Sequence, residues 1–184
     1  MSGTRKKGDG SRKRQKVFNR VVLAVVLVVF IVITAYAFTR STTVSLPLYL
    51  NRCIPPAGPY AYQSSPQLLL NISGVDYTIP AGIGINGSCL RPLDTVDATG
   101  VIHIVTDVDR NYTLGDFFLV WGNTFGVNFA TFNQNQVLTY RADGSTHTIS
   151  MIVNGSPNYS FQNYVFPRNA SFRGNPALIL INYK

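Results

Sequence analysis

From Val21 to Phe38 the chain reads VVLAVVLVVFIVITAYAF, without a charge, an amide, a Gly or a Pro. A helix rising about 1.5 Å per residue over this run reaches roughly 27 Å, close to the hydrocarbon thickness of a bilayer. Val and Ile favour strands in water. In lipid, however, so long a run must pair its own backbone groups, so the pattern predicts one transmembrane helix over 21–38. Ala35-Tyr36-Ala37 has the small-residue spacing of a cleavage site, which makes a removed signal peptide the alternative. The run exceeds the usual apolar core of such leaders, and this favours a retained anchor.

Beyond residue 38 the apolar positions alternate or come in short blocks broken by Gly, Pro, Asn and Asp. Val44 to Leu50 reads as a first strand, confined to an edge or bulge by Pro47. The Pro-rich stretch 51–66 reads as a loop. Leu68 to Ile72 and Val75 to Ile79, joined by Ser73-Gly74, form a hairpin signal. Residues 80–92, PAGIGINGSCLRP, form a glycine-rich crossing; they lack the Walker lysine and the dinucleotide spacing, so they read as turns and not as a phosphate loop. Val101 to Thr106 is a strand. Thr113, followed three residues later by Asp116, is a helix start, and the short helix continues through Phe117 to Trp121 until Gly122 ends it. A second hairpin is predicted from Val137 to Arg141 and Thr146 to Val153 around Asp143-Gly144. Asn154-Gly155 then turns the chain into a strand over 159–165. Ala177 to Tyr183, apolar on both faces, predicts a central strand.

Scarce Lys and Ala, absent Glu and plentiful Val, Ile, Thr, Tyr and Phe agree with this pattern. The fold class expected is mainly β, an antiparallel sandwich or a compact α+β arrangement with one short helix, after an N-terminal transmembrane helix. The predicted organisation is a basic tail over 1–20, the span over 21–38, a stalk and Pro-rich loop with a first edge strand over 39–66, and a β-rich domain over 67–184.

Charge fixes orientation. Eight Lys and Arg residues against Asp9 give residues 1–20 a charge of +7, out of a formal +8 for the chain. Basic residues ahead of a first span stay cytoplasmic, so the N-terminus is expected inside and the domain outside the cell membrane. The tail lacks interleaved aromatics and abuts the span. It therefore reads as a topogenic signal attracted to anionic headgroups, and no nucleic-acid partner is expected. The remaining domain is near neutral.

Cys53 and Cys89 both follow the span, and in an oxidising compartment such a pair is most simply a disulfide. N-x-S/T triplets occur at Asn71, Asn86, Asn111, Asn154, Asn158 and Asn169. They point to an N-glycosylated surface, with Asn154 weakened by the Pro157 that follows its triplet.

Chemistry is sparse. His103 and His147 are the chain's two histidines, and Asp94 and Asp97 lie just ahead of the His103 strand. An Asp94/Asp97/His103 metal group is the one candidate centre, against two turn aspartates and a half-buried strand histidine. No G-x-S-x-G elbow occurs, and Ser145 beside His147 lacks a third triad member. No catalytic residue and no cofactor is assigned, and an enzyme is not expected. Trp121, Phe117 and Phe118 read as core anchors for the helix.

Several of these residues fall into ordered motifs: Pro92-Leu93-Asp94-Thr95-Val96-Asp97, Gly100-Val101-Ile102-His103, Thr113-Leu114-Gly115-Asp116-Phe117-Phe118, Val120-Trp121-Gly122 and Val153-Asn154-Gly155. They resemble a family of uncharacterised membrane-anchored extracytoplasmic proteins of archaea and some bacteria. Its pattern is P-L-H-T-H-D, G-x-I-H, T-L-G-x-F-F-x-x-W-G and a later V-N-G turn. Where that family carries two histidines this chain has Asp94 and Val96, while Asp97 and His103 agree. If the histidines bind metal there, Val96 removes one donor and Asp94 substitutes a harder one, which implies a structural version of the fold more than a copper-type site. The function expected is therefore a structural or binding role in the envelope, with the membrane and other envelope proteins as partners. The alternative is a metal-binding accessory protein.

Overall fold

The computed structural model describes residues 44–171, 174 and 177–184. The basic tail and the Val21–Phe38 run lie outside these residues, and among the described residues no helix is long and apolar enough to cross a membrane. The strands in chain order are β1 (Tyr62–Ser64), β2 (Gln67–Ile72), β3 (Val75–Tyr77), β4 (Ile85–Asn86), β5 (Cys89–Leu90), β6 (Leu93–Asp94), β7 (His103–Thr106), β8 (Phe132–Asn133), β9 (Gln136–Val137), β10 (Tyr140–Arg141), β11 (Ile149–Val153), β12 (Ser156–Asn158) and β13 (Leu178–Tyr183). One helix, α1 (Leu114–Phe125), lies between β7 and β8. The fold is mainly β, with several small sheets and one helix among the described residues.

The largest sheet runs β12-β11-β13-β2-β3, with β13 in the middle as its apolar run predicts. β13 pairs in parallel with β2, Leu70 opposite Ile181, and antiparallel with β11. Along β2 and β13 alternate residues, Leu68, Leu70, Ile179 and Ile181, are almost fully buried. The predicted β2–β3 hairpin forms because Ser73 and Gly74 both take positive φ, 54° and 84°, as a twisted two-residue turn demands. A second sheet, β1-β7-β6, carries Ile102 and Ile104 at its foot in the same core.

Helix α1 starts as expected. Thr113 Oγ1 accepts from Asp116 N while the Asp116 side chain accepts from Thr113 N, a reciprocal cap. Leu114, Phe117, Phe118 and Trp121 follow at helical spacing and are wholly buried. Gly122 does not end the helix. It sits inside it, where a Cβ would lie 2.3 Å from the Ala130 Cβ, and the true stop is Gly126 at φ 119°. Gly122 thus answers a packing need that its residue type alone does not distinguish from termination.

Three predicted strands are corrected. Val44 to Leu50 forms no strand: residues 48–50 turn, and the Pro47 carbonyl accepts from Leu50 N at 2.9 Å and Asn51 N at 3.0 Å. The second hairpin does not form: β9 pairs with β8 on one side and β10 on the other, while β11 is taken by β12 and β13. The intervening Asp143 carboxylate caps its own turn, accepting from the amides of Ser145, Thr146 and His147. Residues 159–165 contain a 3-10 turn, Phe161–Asn163, in place of a strand, and Phe161 has φ 45°.

Candidate functional site

Asp94 and His103 stand directly opposite each other across the antiparallel β6–β7 pair. Residues opposed in such a pair point to the same face, so topology brings together two of the three side chains proposed for a metal centre. Asp94 is 4% exposed, and burial alone pushes its carboxyl up to about 7. The strand that carries it is fixed by the glycine-rich crossing, which folds back upon it. Gly84 adopts φ 74°, and a Cβ there would fall 2.1 Å from the Leu93 carbonyl oxygen. Thr95 completes the clamp: its Oγ1 accepts from Ile83 N at 3.1 Å and donates to Pro80 O at 2.8 Å. These glycines serve chain reversal and close approach, and no phosphate cradle is built.

The third residue is elsewhere occupied. Asp97 is exposed, and its Oδ1 accepts from both the amide and the hydroxyl of Thr99. Those bonds hold its carboxyl below the usual carboxylate range. Among the described residues no group of three or more His, Cys, Asp or Glu side chains converges as a metal site. Asp94 and His103 are neighbours, while Asp97 Oδ1 is engaged in closing its own turn.

His147 does meet a carboxylate. Its Nδ1 lies 3.0 Å from Asp143 Oδ2, and its ring stacks on Tyr183 at 5.6 Å. Ser145 Oγ, however, donates to Asp143 Oδ1. An Asp–His–Ser relay needs the histidine between carboxylate and hydroxyl, and here the carboxylate holds both.

Cys53 and Cys89 are joined, with Cα atoms 4.9 Å apart across 36 residues of sequence. No protein-family model, curated protein or solved structure matches this chain. Of the sequon asparagines, Asn86, Asn111, Asn154 and Asn169 are exposed and Asn71 and Asn158 half-buried. Asn71 is the most engaged: its Nδ2 donates to Asp76 Oδ1 and its Oδ1 accepts from Gly74 N.

Two surface features go beyond the residues singled out in the sequence. Around the start of α1, Arg110 lies 3.5 Å over the Tyr49 ring, Arg168 pairs with Asp109, and Arg52 donates to Asp107 at 2.6 Å. Arg52 and Arg168 are thus paired with carboxylates, while Arg110 rests on an aromatic ring. The other is an open, uncharged cleft between the β8–β9 turn and the 159–163 segment. A sequence signal for it exists: side-chain amides crowd Asn133-Gln134-Asn135-Gln136 and recur at Gln162-Asn163.

Proposed function

We propose that the chain is a single-pass protein of the cell membrane, N-terminus cytoplasmic, whose C-terminal domain serves a structural or binding role in the envelope and catalyses no reaction. The observation that carries this reading is the Cys53–Cys89 bond, since such bonds persist in oxidising, extracytoplasmic compartments. The uncharged run Val21–Phe38, with its basic leader, supplies the matching address. Exposed sequon asparagines at Asn86, Asn111 and Asn169 suit a glycosylated outer surface. The motif resemblance to membrane-anchored extracytoplasmic proteins supports the same topology. The metal-binding alternative draws no support from an arrangement in which Asp97 is committed to Thr99.

Protease applied to intact cells expressing the chain with a C-terminal epitope tests the topology. The epitope is expected to be lost while the N-terminal tail survives. Protection of the epitope until the cells are lysed overturns the proposal.

A further inference from the structure

Between β8 and β9 the chain reverses at Gln134-Asn135, and Asn135 N donates to Asn133 Oδ1 at 2.8 Å to close the turn. Facing it, the chain after β12 passes through Tyr159 and the Phe161–Asn163 turn. Together they enclose an open cleft of about 320 Å³, within the range of small-ligand sites.

Both walls are held by the scaffold. The Phe132 and Phe161 rings meet at 6.2 Å, joining one wall to the other. Gln162 presses on α1 so closely that a Cβ on Gly115 would lie 2.9 Å from the Gln162 carbonyl oxygen. Leu114 N donates to Tyr164 O at 2.9 Å, just past the turn. Phe161 keeps φ 45°, a conformation costly for a residue with a Cβ and maintained only where surroundings enforce it.

The lining is five side-chain amides with one serine and two aromatic rings. Asn133, Gln134 and Asn135 face Gln162 and Asn163, and none of the lining residues is charged. Each amide side chain offers donors beside an acceptor, the complement of a hydroxyl group, which also does both. Tyr159 stands at the cleft 83% exposed, an aromatic surface with nothing of the protein upon it. An anionic ligand finds no cation here, and a wholly apolar one would strip water from the amides without replacing its hydrogen bonds. A pyranose ring suits both features: its hydroxyls reach amides and its C–H face packs on an aromatic ring.

We infer that this cleft binds a neutral saccharide, with Tyr159 as the stacking platform and the Asn135 and Gln162 amides bonding ring hydroxyls. The inference deepens the reading of the domain as an envelope module and rests on it for where sugars are met. Two sources share this chemistry, a glycan on another surface molecule and a glycan on the chain's own Asn158, next to Tyr159.

The test titrates the full chain, in a detergent without a sugar headgroup, with maltoheptaose, mannotriose and chitotetraose by calorimetry. Saturable binding of at least one is expected, weakened about tenfold by Tyr159→Ala and several-fold by Gln162→Ala, with melting temperatures unchanged. Binding in the unaltered protein identifies an external sugar. Binding that emerges only with Asn158→Gln supports the cleft with the chain's own glycan as occupant. No binding by either protein at about 10 mM sugar, or binding indifferent to Tyr159→Ala, overturns the inference. Failure here leaves the membrane topology standing, and failure of the protease experiment leaves this titration standing.

Discussion

The Tyr49 hydroxyl donates a 2.7 Å hydrogen bond to Oδ1 of Asp116, tying the segment ahead of the disulfide to the first turn of α1. Asp116 is 8% exposed, and its other oxygen accepts from Thr113 N at 2.9 Å, so both ends of the carboxylate are engaged. Burial, reinforced by this carboxylate, raises the Tyr49 pKa and keeps it a donor. Asp116→Ala is expected to cost about 2 kcal/mol, through the lost cap and a stranded hydroxyl, and Tyr49→Phe about 1 kcal/mol. A double-mutant cycle in denaturant, followed by the fluorescence of the single, fully buried Trp121, should return a coupling near 1 kcal/mol. Additive losses would show the two side chains to be independent.

Asp94 makes stability depend on pH in the less usual direction. Its carboxyl titrates near 7 in the folded protein against an ordinary value of 3.8. Below about pH 4 both states are protonated and nothing is lost; between 4 and 7 the unfolded chain ionises first, so stability falls as pH rises. Asp94→Asn, a neutral near-isostere, should therefore stabilise the fold at pH 8 by on the order of 4 kcal/mol, seen as a higher melting temperature, and change little at pH 4. A benefit equal at both pH values would contradict this account.

Opening the Cys53–Cys89 link frees a loop of 36 residues' separation. The loop-closure model sets the cost at about 3–4 kcal/mol, to be read from the denaturation midpoint of the Cys53→Ser/Cys89→Ser double variant.

At Gly122 helix propensity and packing make opposite forecasts. Alanine is better by about 1 kcal/mol in an unobstructed helix. Here its methyl would meet the Ala130 Cβ at 2.3 Å, so Gly122→Ala should destabilise by about 2 kcal/mol or more. Ala130→Gly added to Gly122→Ala should recover little of the loss, since the Ala130 Cα and N would still lie 2.6 Å and 2.8 Å from the new methyl. Substantial recovery would show that the Ala130 methyl alone obstructs and that the backbone gives way.

What is legible in the sequence is what short-range chemistry decides. Ser73-Gly74 specifies a turn type, and Thr113 with Asp116 specifies a helix start, each within four residues. The Cys53–Cys89 pair is legible because the chain has just two cysteines, both beyond the apolar run. Partners far along the chain are not legible: Ile149–Val153 looks able to fold back on Val137–Arg141, and only the presence of β13 draws it away. Strand β6 is two residues long, too short to have a period, so the placing of Asp94 opposite His103 emerges from the fold and not from alternation. Asp97 followed by Thr99 was, by contrast, readable as a self-capping turn, the ordinary alternative to metal ligation. The amide cleft escapes notice because its walls lie some two dozen positions apart, about 25 residues, and only a shared scaffold unites them.

Leu70 finds its parallel neighbour Ile181 about 110 residues further along, a separation that ranks among the slow closures in folding. During synthesis the β2–β3 hairpin emerges long before β13 exists to complete it. Its apolar side must wait, unprotected and prone to stray association, until nearly the whole domain has been delivered. Folding of this domain accordingly sets the arrival of β13 in competition with aggregation of the waiting hairpin.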